Sequence, residues 1–112
     1  VAATLAARDV LAERERQVSV EGWTPKRDDT YVDGAMAQAA ATYAVAAKDA
    51  AYYNDHGIPM RLEARCLWPS SWPLEWFKPK DKRRNLVRAG ALILAEIDRL
   101  DRAGQTTPGD AP

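Results

Sequence analysis

One cysteine, one histidine and no surplus charge of either sign remove several kinds of protein before any motif is read. Cys66 has no partner for an internal disulfide, and with His56 as the sole imidazole there is no Cys/His cluster to hold zinc. A reducing compartment fits that cysteine usage. Lys and Arg number 16, as do Asp and Glu, so the basic excess of a general nucleic-acid binder is missing. No apolar run approaches the length of a membrane span, and the N-terminus lacks an uninterrupted hydrophobic signal core. The expectation is a cytoplasmic protein that engages neither membrane nor nucleic acid. At 112 residues the chain is large enough for one modest core. We expect one globular domain over 1–104, followed by a polar, Pro/Gly-containing tail, 105–112, that reads as disordered.

What is there in excess is tryptophan, and it is concentrated. The stretch WPSSWPLEWFKPKDKRR, Trp68 to Arg84, holds three of the four tryptophans among Pro69, Pro73 and Pro79. Proline fixes φ and removes a donor, so this segment cannot be a long helix or a central strand. Trp68, Trp72, Trp76 and Phe77 are therefore held on a stiff, irregular path. Each ring buries roughly 150–250 Å² when covered, and each indole N–H then needs an acceptor. Lys78, Lys80, Lys82, Arg83 and Arg84 follow, and Asp81 is the only acid between Glu75 and Glu96. Aromatic faces beside clustered cations suit a ligand with a planar ring and phosphates. On the aromatic cluster alone, a tryptophan core beside a solvated charged face is the more ordinary use of the same residues.

Along the chain, Thr4 is placed to cap a first helix to about Val18, with Leu5, Val10, Leu11 and Val18 broadly on one side. Its remaining charges read as a solvated face. Gly22 and Pro25 end it. The loop GWTPKRDDTYVDG, Gly22 to Gly34, sets Trp23 beside Arg27, Asp28 and Asp29, with Asp33 following. Three carboxylates this close could hold a divalent cation, but their spacing matches no calcium loop. Asp33 reads as a cap for the next helix. Asp28 and Asp29 either pair with Arg27 and loop amides or accept hydrogen bonds from ribose hydroxyls.

An alanine-rich helix from about Gly34 to Ala51 carries Met36, Ala40, Tyr43 and Ala47 on one stripe and reads as a buried packing helix. AYYNDHGIP, Ala51 to Pro59, reads as its end and a turn, with His56 a loop residue rather than a catalyst. Ile58 to Leu67 is ambiguous, and Cys66 reads as a small buried apolar side chain. The last helix opens on Asp81 as N-cap and stops at Gly104, with Leu86, Val87, Gly90, Ile93, Leu94, Ile97 and Leu100 at helical spacing. Asp98 and Arg102 stand i,i+4 on its exposed side. Basic residues are disfavoured at a helix N-terminus. Their clustering at this one implies a compensating anion, either a ligand phosphate or a protein carboxylate.

EGWTPKRDD, Glu21 to Asp29, with the aromatic-proline segment and then DKRRNLVRA, Asp81 to Ala89, resembles the ryanodine-receptor repeat domain in its small prokaryotic and viral form. Gly22 and Trp23 match its first element and Arg27, Asp28 and Asp29 its charged cluster, but its Lys-x-His-Pro segment is missing. The resemblance implies a non-catalytic module that binds adenine- or ADP-ribose-type nucleotides. In a virus it could sequester a host immune signal in the host cytoplasm. LAERERQ and LVRAGALILAEIDRLDR are also similar to the outer helices of phage proteins related to MazG-like nucleotide pyrophosphohydrolases. Those enzymes need an acidic motif on a central helix, and here that helix has no acid between Ala35 and Ala47.

The sequence therefore predicts a mainly α protein of three principal helices, with a long Trp/Pro-rich connector before the C-terminal one. The expected function is non-enzymatic binding of a small nucleotide-like ligand of ADP-ribose or cyclic-nucleotide type, as a homo-oligomer and without cofactor or metal. Trp23 or Trp76 would stack on the base, with Trp72 beside them. Lys78, Lys80, Arg83 and Arg84 would hold phosphates, and Arg27, Asp28 and Asp29 would complete the site. The alternatives are a pyrophosphohydrolase using Asp28, Asp29, Asp33 and Glu96, or a protein-interaction module built on the tryptophans.

Overall fold

The computed structural model describes residues 3–56 and 66–104 and is mainly α, with no strand among them. Helix α1 spans Leu5–Ser19, the short α2 Pro25–Asp28, α3 Ala35–His56 and α4 Lys82–Arg102; a 3-10 turn covers Leu74–Trp76. Most of the ambiguous segment before Trp68, and the tail after Gly104, lie outside the described residues.

Local chemistry explains the helix ends. Thr4 Oγ1 accepts from the Ala7 amide at 3.1 Å to start α1. Gly22, at φ 76°, turns the chain back, and the Trp23 amide donates to the Gln17 carbonyl at 2.9 Å. Thr24 caps α2 through the Arg27 amide at 3.3 Å, with Pro25 in the first turn, where its missing N–H costs nothing. Asp33 accepts from the Ala35 amide and Asp81 from the Arg84 amide, so both acids cap as their positions suggest. Gly104 takes φ 75° and stops α4. One boundary differs from expectation: α3 continues through Ala51, Tyr52 and Tyr53 to His56. The alanine run before it carries strong helix propensity, and no proline intervenes before Pro59.

Helix α4 lies between the other two long helices, with α3 along one flank and α1 along the other. Against α3 the contact is made of small and fitted side chains: Met36, Ala39, Ala40 and Tyr43 meet Ala89, Leu92 and Ala95, all buried. Against α1 the approach is close at Gly90, where an added Cβ would stand 3.1 Å from Val10 Cγ2. Trp23, Trp68 and Trp72 join the same core, with Tyr31, Trp76 and Phe77 packed on it. The early tryptophan loop and the late connector thus fold against each other.

Two helices bury different faces from those their sequences suggest. On α1 the buried residues are Glu13 and Gln17, whereas Leu5 and Leu11 are exposed. The apolar residues of α1 never formed one stripe: at about 100° per residue Leu5 and Leu11 point well apart. Helix α4 buries Asn85, Arg88 and Arg99 beside Val87, Ala91, Leu92 and Ala95, and leaves Leu86, Ile93 and Ile97 half exposed. Cys66 is exposed rather than buried, because the connector turns inward only at Trp68.

Candidate ligand-binding cleft

The cleft is built where the end of α1, the Trp23 loop and the connector converge. Trp23 packs edge-to-face on Trp72, with centroids 5.0 Å apart and planes at 84°, and lies 6.1 Å from Trp76. The connector is held there by Tyr43 of α3, whose hydroxyl accepts from the Lys78 amide at 2.9 Å and donates to the Trp76 carbonyl at 3.4 Å. Arg88 of α4 donates to the Lys78 carbonyl. Gln38 donates to the Leu67 carbonyl at 2.8 Å, and Trp68 Nε1 donates to the Pro73 carbonyl at 3.1 Å. Asn85, fully buried, donates to the Lys80 carbonyl and accepts from its amide. These bonds satisfy a backbone that prolines keep out of regular structure.

Helix α2 aims Arg27 across the two indoles. Its guanidinium carbon lies 4.9 Å from the Trp76 ring centroid and 5.6 Å from that of Trp23, and its Nε donates to the Tyr31 hydroxyl at 3.0 Å. Beside this stack opens a cleft of about 320 Å³ lined by Val20, Glu21, Trp23, Arg27, Trp76 and Lys78. That volume is at the lower end for small-molecule sites. Among the described residues neither Arg27 nor Lys78 forms an ion pair.

Behind Trp76 a crevice of about 20 Å³, the space of a single water, is lined by Glu13, Arg16, Gln17, Tyr43, Arg88 and Leu92 among others. Glu13 anchors it. Its carboxylate, wholly buried, accepts from Arg16 at 2.8 Å and from Arg84 at 2.5 Å, with Arg88 4.0 Å away. Burial pushes this carboxyl upward, but the hydrogen bond from Arg16 and the charges of Arg16, Arg84 and Arg88 outweigh it, so its pKa falls below the ordinary value. Burial raises the Tyr43 phenol, which therefore stays protonated. Gln17 Oε1 and Arg88 Nε are buried without a hydrogen-bond partner, so the crevice wall is polar and unsatisfied.

The expected site residues divide. Trp23, Trp76, Arg27 and Lys78 are brought together. Trp72 is 5% exposed and belongs to the core, where its indole Nε1 lacks a partner. Lys80 is exposed outside the cleft. Arg83 pairs with Asp9 at 2.8 Å and Arg84 with Glu13, so the anions that compensate the basic start of α4 are protein carboxylates from α1. Asp28 is fully buried and bound to Arg14 at 2.5 Å, with burial raising its pKa against the pull of Arg14. Asp29 pairs with Arg102 at 2.7 Å, displacing the expected Asp98 partner. Asp33 caps α3 and Glu96 holds Arg99, so the acids offered as metal ligands stay separate. No group of three His, Cys, Asp or Glu suited to a metal occurs among the described residues.

Glu13, Gln17, Glu21 and Val20 were not expected at the site. A signal for Glu13 and Gln17 existed, since one turn separates them on a helix with no coherent apolar stripe to bury in their place.

No family model matches the chain, and neither a curated protein nor a solved structure matches it. No helix among the described residues is long and apolar enough to cross a membrane.

Proposed function

We propose that the protein is a non-catalytic receptor for a small planar anion of nucleotide type, bound in the cleft beside Trp76 and Arg27. The observation that carries this reading is the state of Arg27. It is stacked on two indoles and oriented by Tyr31, yet among the described residues no carboxylate pairs with it. A cation held against aromatic faces at a cleft mouth suits a ligand that brings a π-system and negative charge. Lys78, across the same cleft, supplies for a phosphate a second cation that has no ion pair among the described residues. Glu21 lines the cleft as well, with its Oε1 held by Arg16 at 3.1 Å, and we assign to its other carboxylate oxygen the ribose-accepting role expected of Asp28 or Asp29.

The resemblance to ryanodine-receptor repeats supports the same class of ligand, of ADP-ribose or cyclic-nucleotide type, and with it the sequestration of a signalling nucleotide in a cytoplasm. Isothermal titration of the intact protein against ADP-ribose derivatives and cyclic dinucleotides tests the proposal. Saturable heat with at least one of them supports it, and none across the panel, with the near-UV tryptophan signal intact, rejects it.

A further inference from the structure

The crevice behind Trp76 and the ligand cleft share Glu21, Trp23, Trp76 and Lys78 as walls, so the two are neighbouring compartments. Two polar groups of the crevice wall have no hydrogen-bond partner among the described residues: Gln17 Oε1, an acceptor, and Arg88 Nε, a donor. Gln17 is 5% exposed and Arg88 9%. Glu13 sets the orientation of the Gln17 amide. A carboxylate only accepts, so Gln17 Nε2 donates to Glu13 Oε2, at 3.3 Å, and Oε1 is left over. Arg88 Nε stands 4.0 Å from the same Glu13 oxygen, beyond hydrogen-bond reach, while its Nη1 is taken by the Lys78 carbonyl. The two orphaned groups therefore flank one carboxylate oxygen.

Their chemistry restricts what can sit between them. An anion would satisfy Arg88 but would face Gln17 Oε1 and the Glu13 carboxylate. A cation would satisfy Gln17 but would face Arg88. A neutral group that both donates and accepts meets both, and a volume of about 20 Å³ holds a single heavy atom. A hydroxyl is such a group. Glu21 lies close by: Arg16 holds it through Nη1 at 3.1 Å and holds Glu13 through Nε at 2.8 Å, so one guanidinium links the cleft carboxylate to the one that Gln17 and Arg88 flank.

Resting on the nucleotide reading proposed above, we infer that the crevice is a hydroxyl subsite of the cleft and that the ligand presents a free vicinal diol. One hydroxyl accepts from Arg88 Nε and donates to Gln17 Oε1, and its neighbour donates to Glu21. This selects a ligand of ADP-ribose type, whose riboses keep both hydroxyls, over cyclic nucleotides, in which ring closure esterifies one of them. A ligand hydroxyl reproduces the bonds of any water it displaces from the crevice. A deoxy analogue leaves the buried groups unpaired, which is how a polar site rejects it.

Isothermal titration of the full chain with ADP-ribose, its analogues lacking the 2′ or the 3′ hydroxyl of either ribose, and 3′,3′-cyclic di-AMP tests the inference. In wild type, loss of either hydroxyl of one ribose should weaken binding about tenfold, and cyclic di-AMP should bind more weakly than ADP-ribose. Gln17→Met keeps the side chain's length and removes its carbonyl. In that variant ADP-ribose should bind about tenfold more weakly, and the penalty for one of the two hydroxyls should shrink to within about twofold. Should Gln17→Met lose the tryptophan near-UV spectrum, the ranking of analogues on wild type decides alone. A folded Gln17→Met that weakens ADP-ribose and every analogue in the same proportion would overturn the inference. So would analogues that all bind as ADP-ribose does, or cyclic di-AMP that binds as tightly; either result leaves the nucleotide site standing. Silence from every probe would remove the site and the inference together.

Discussion

The guanidinium carbon of Arg27 stands 4.9 Å from the centre of the Trp76 ring, and the link ties the early loop to the late connector across 49 positions of sequence. Replacing Arg27 by alanine removes both indole contacts and the bond to Tyr31. We expect a stability loss of about 1 kcal/mol in urea titration, because the group is only half buried. Ligand affinity should fall much further, by about tenfold or more in calorimetry, if the same charge meets a phosphate.

Glu13 and Asp28 form a natural comparison. Both carboxylates are wholly buried and each has an arginine at 2.5 Å, yet their pKa values move in opposite directions. Glu13 faces three guanidinium groups and Asp28 mainly one. Glu13→Gln should therefore cost about 3 kcal/mol, since it leaves Arg16, Arg84 and Arg88 crowded without compensation. Asp28→Asn keeps an acceptor for Arg14 and should cost nearer 1 kcal/mol. Equal losses in denaturant titration would count against this ranking.

The same pair sets the acid response. Glu13 is lowered in the folded state, so its contribution is present above the ordinary carboxyl value of 4.5 and is lost as pH falls through the folded pKa below it. Asp28 is raised, so its contribution is full below 3.8 and is lost as pH rises through the folded pKa above it. Stability measured across the acid range should fall less steeply for Glu13→Gln than for wild type, and more steeply for Asp28→Asn.

Much of the frame was legible. Thr4, Asp33, Asp81 and Gly104 mark helix ends through backbone chemistry that needs no tertiary partner, and Met36, Ala40, Tyr43 and Ala47 point inward at one helical period. The convergence of Trp23 with Trp76 could be anticipated because prolines and glycines leave those rings little else to pack on. What could not be read was which charges are taken. Arg83, Arg84, Asp28 and Asp29 all look available in sequence, and their partners Asp9, Glu13, Arg14 and Arg102 lie on other helices. Nor does helical spacing say which side of a helix is inside. In α4 the apolar stripe is real and faces out, because Ala91, Ala95 and Leu92 make the closer fit to α3.

Tyr43 is the hinge pin of the connector. Tyr43→Phe keeps the ring against Trp68 and Phe77 but leaves the Lys78 amide without its acceptor. The expected cost is about 1–2 kcal/mol. Hydrogen exchange should quicken at Lys78 and remain unchanged in the middle of α4.

The central claim is that the Trp76 and Arg27 stack forms one wall of a nucleotide site. Its most direct test is intrinsic tryptophan fluorescence titrated with ADP-ribose derivatives and cyclic dinucleotides in wild type, Arg27→Ala and Lys78→Ala. Saturable quenching in wild type that weakens about tenfold in each variant is the predicted result. Contradiction would take the form of a folded wild type whose emission follows no ligand on the panel, or of variants that respond as wild type does.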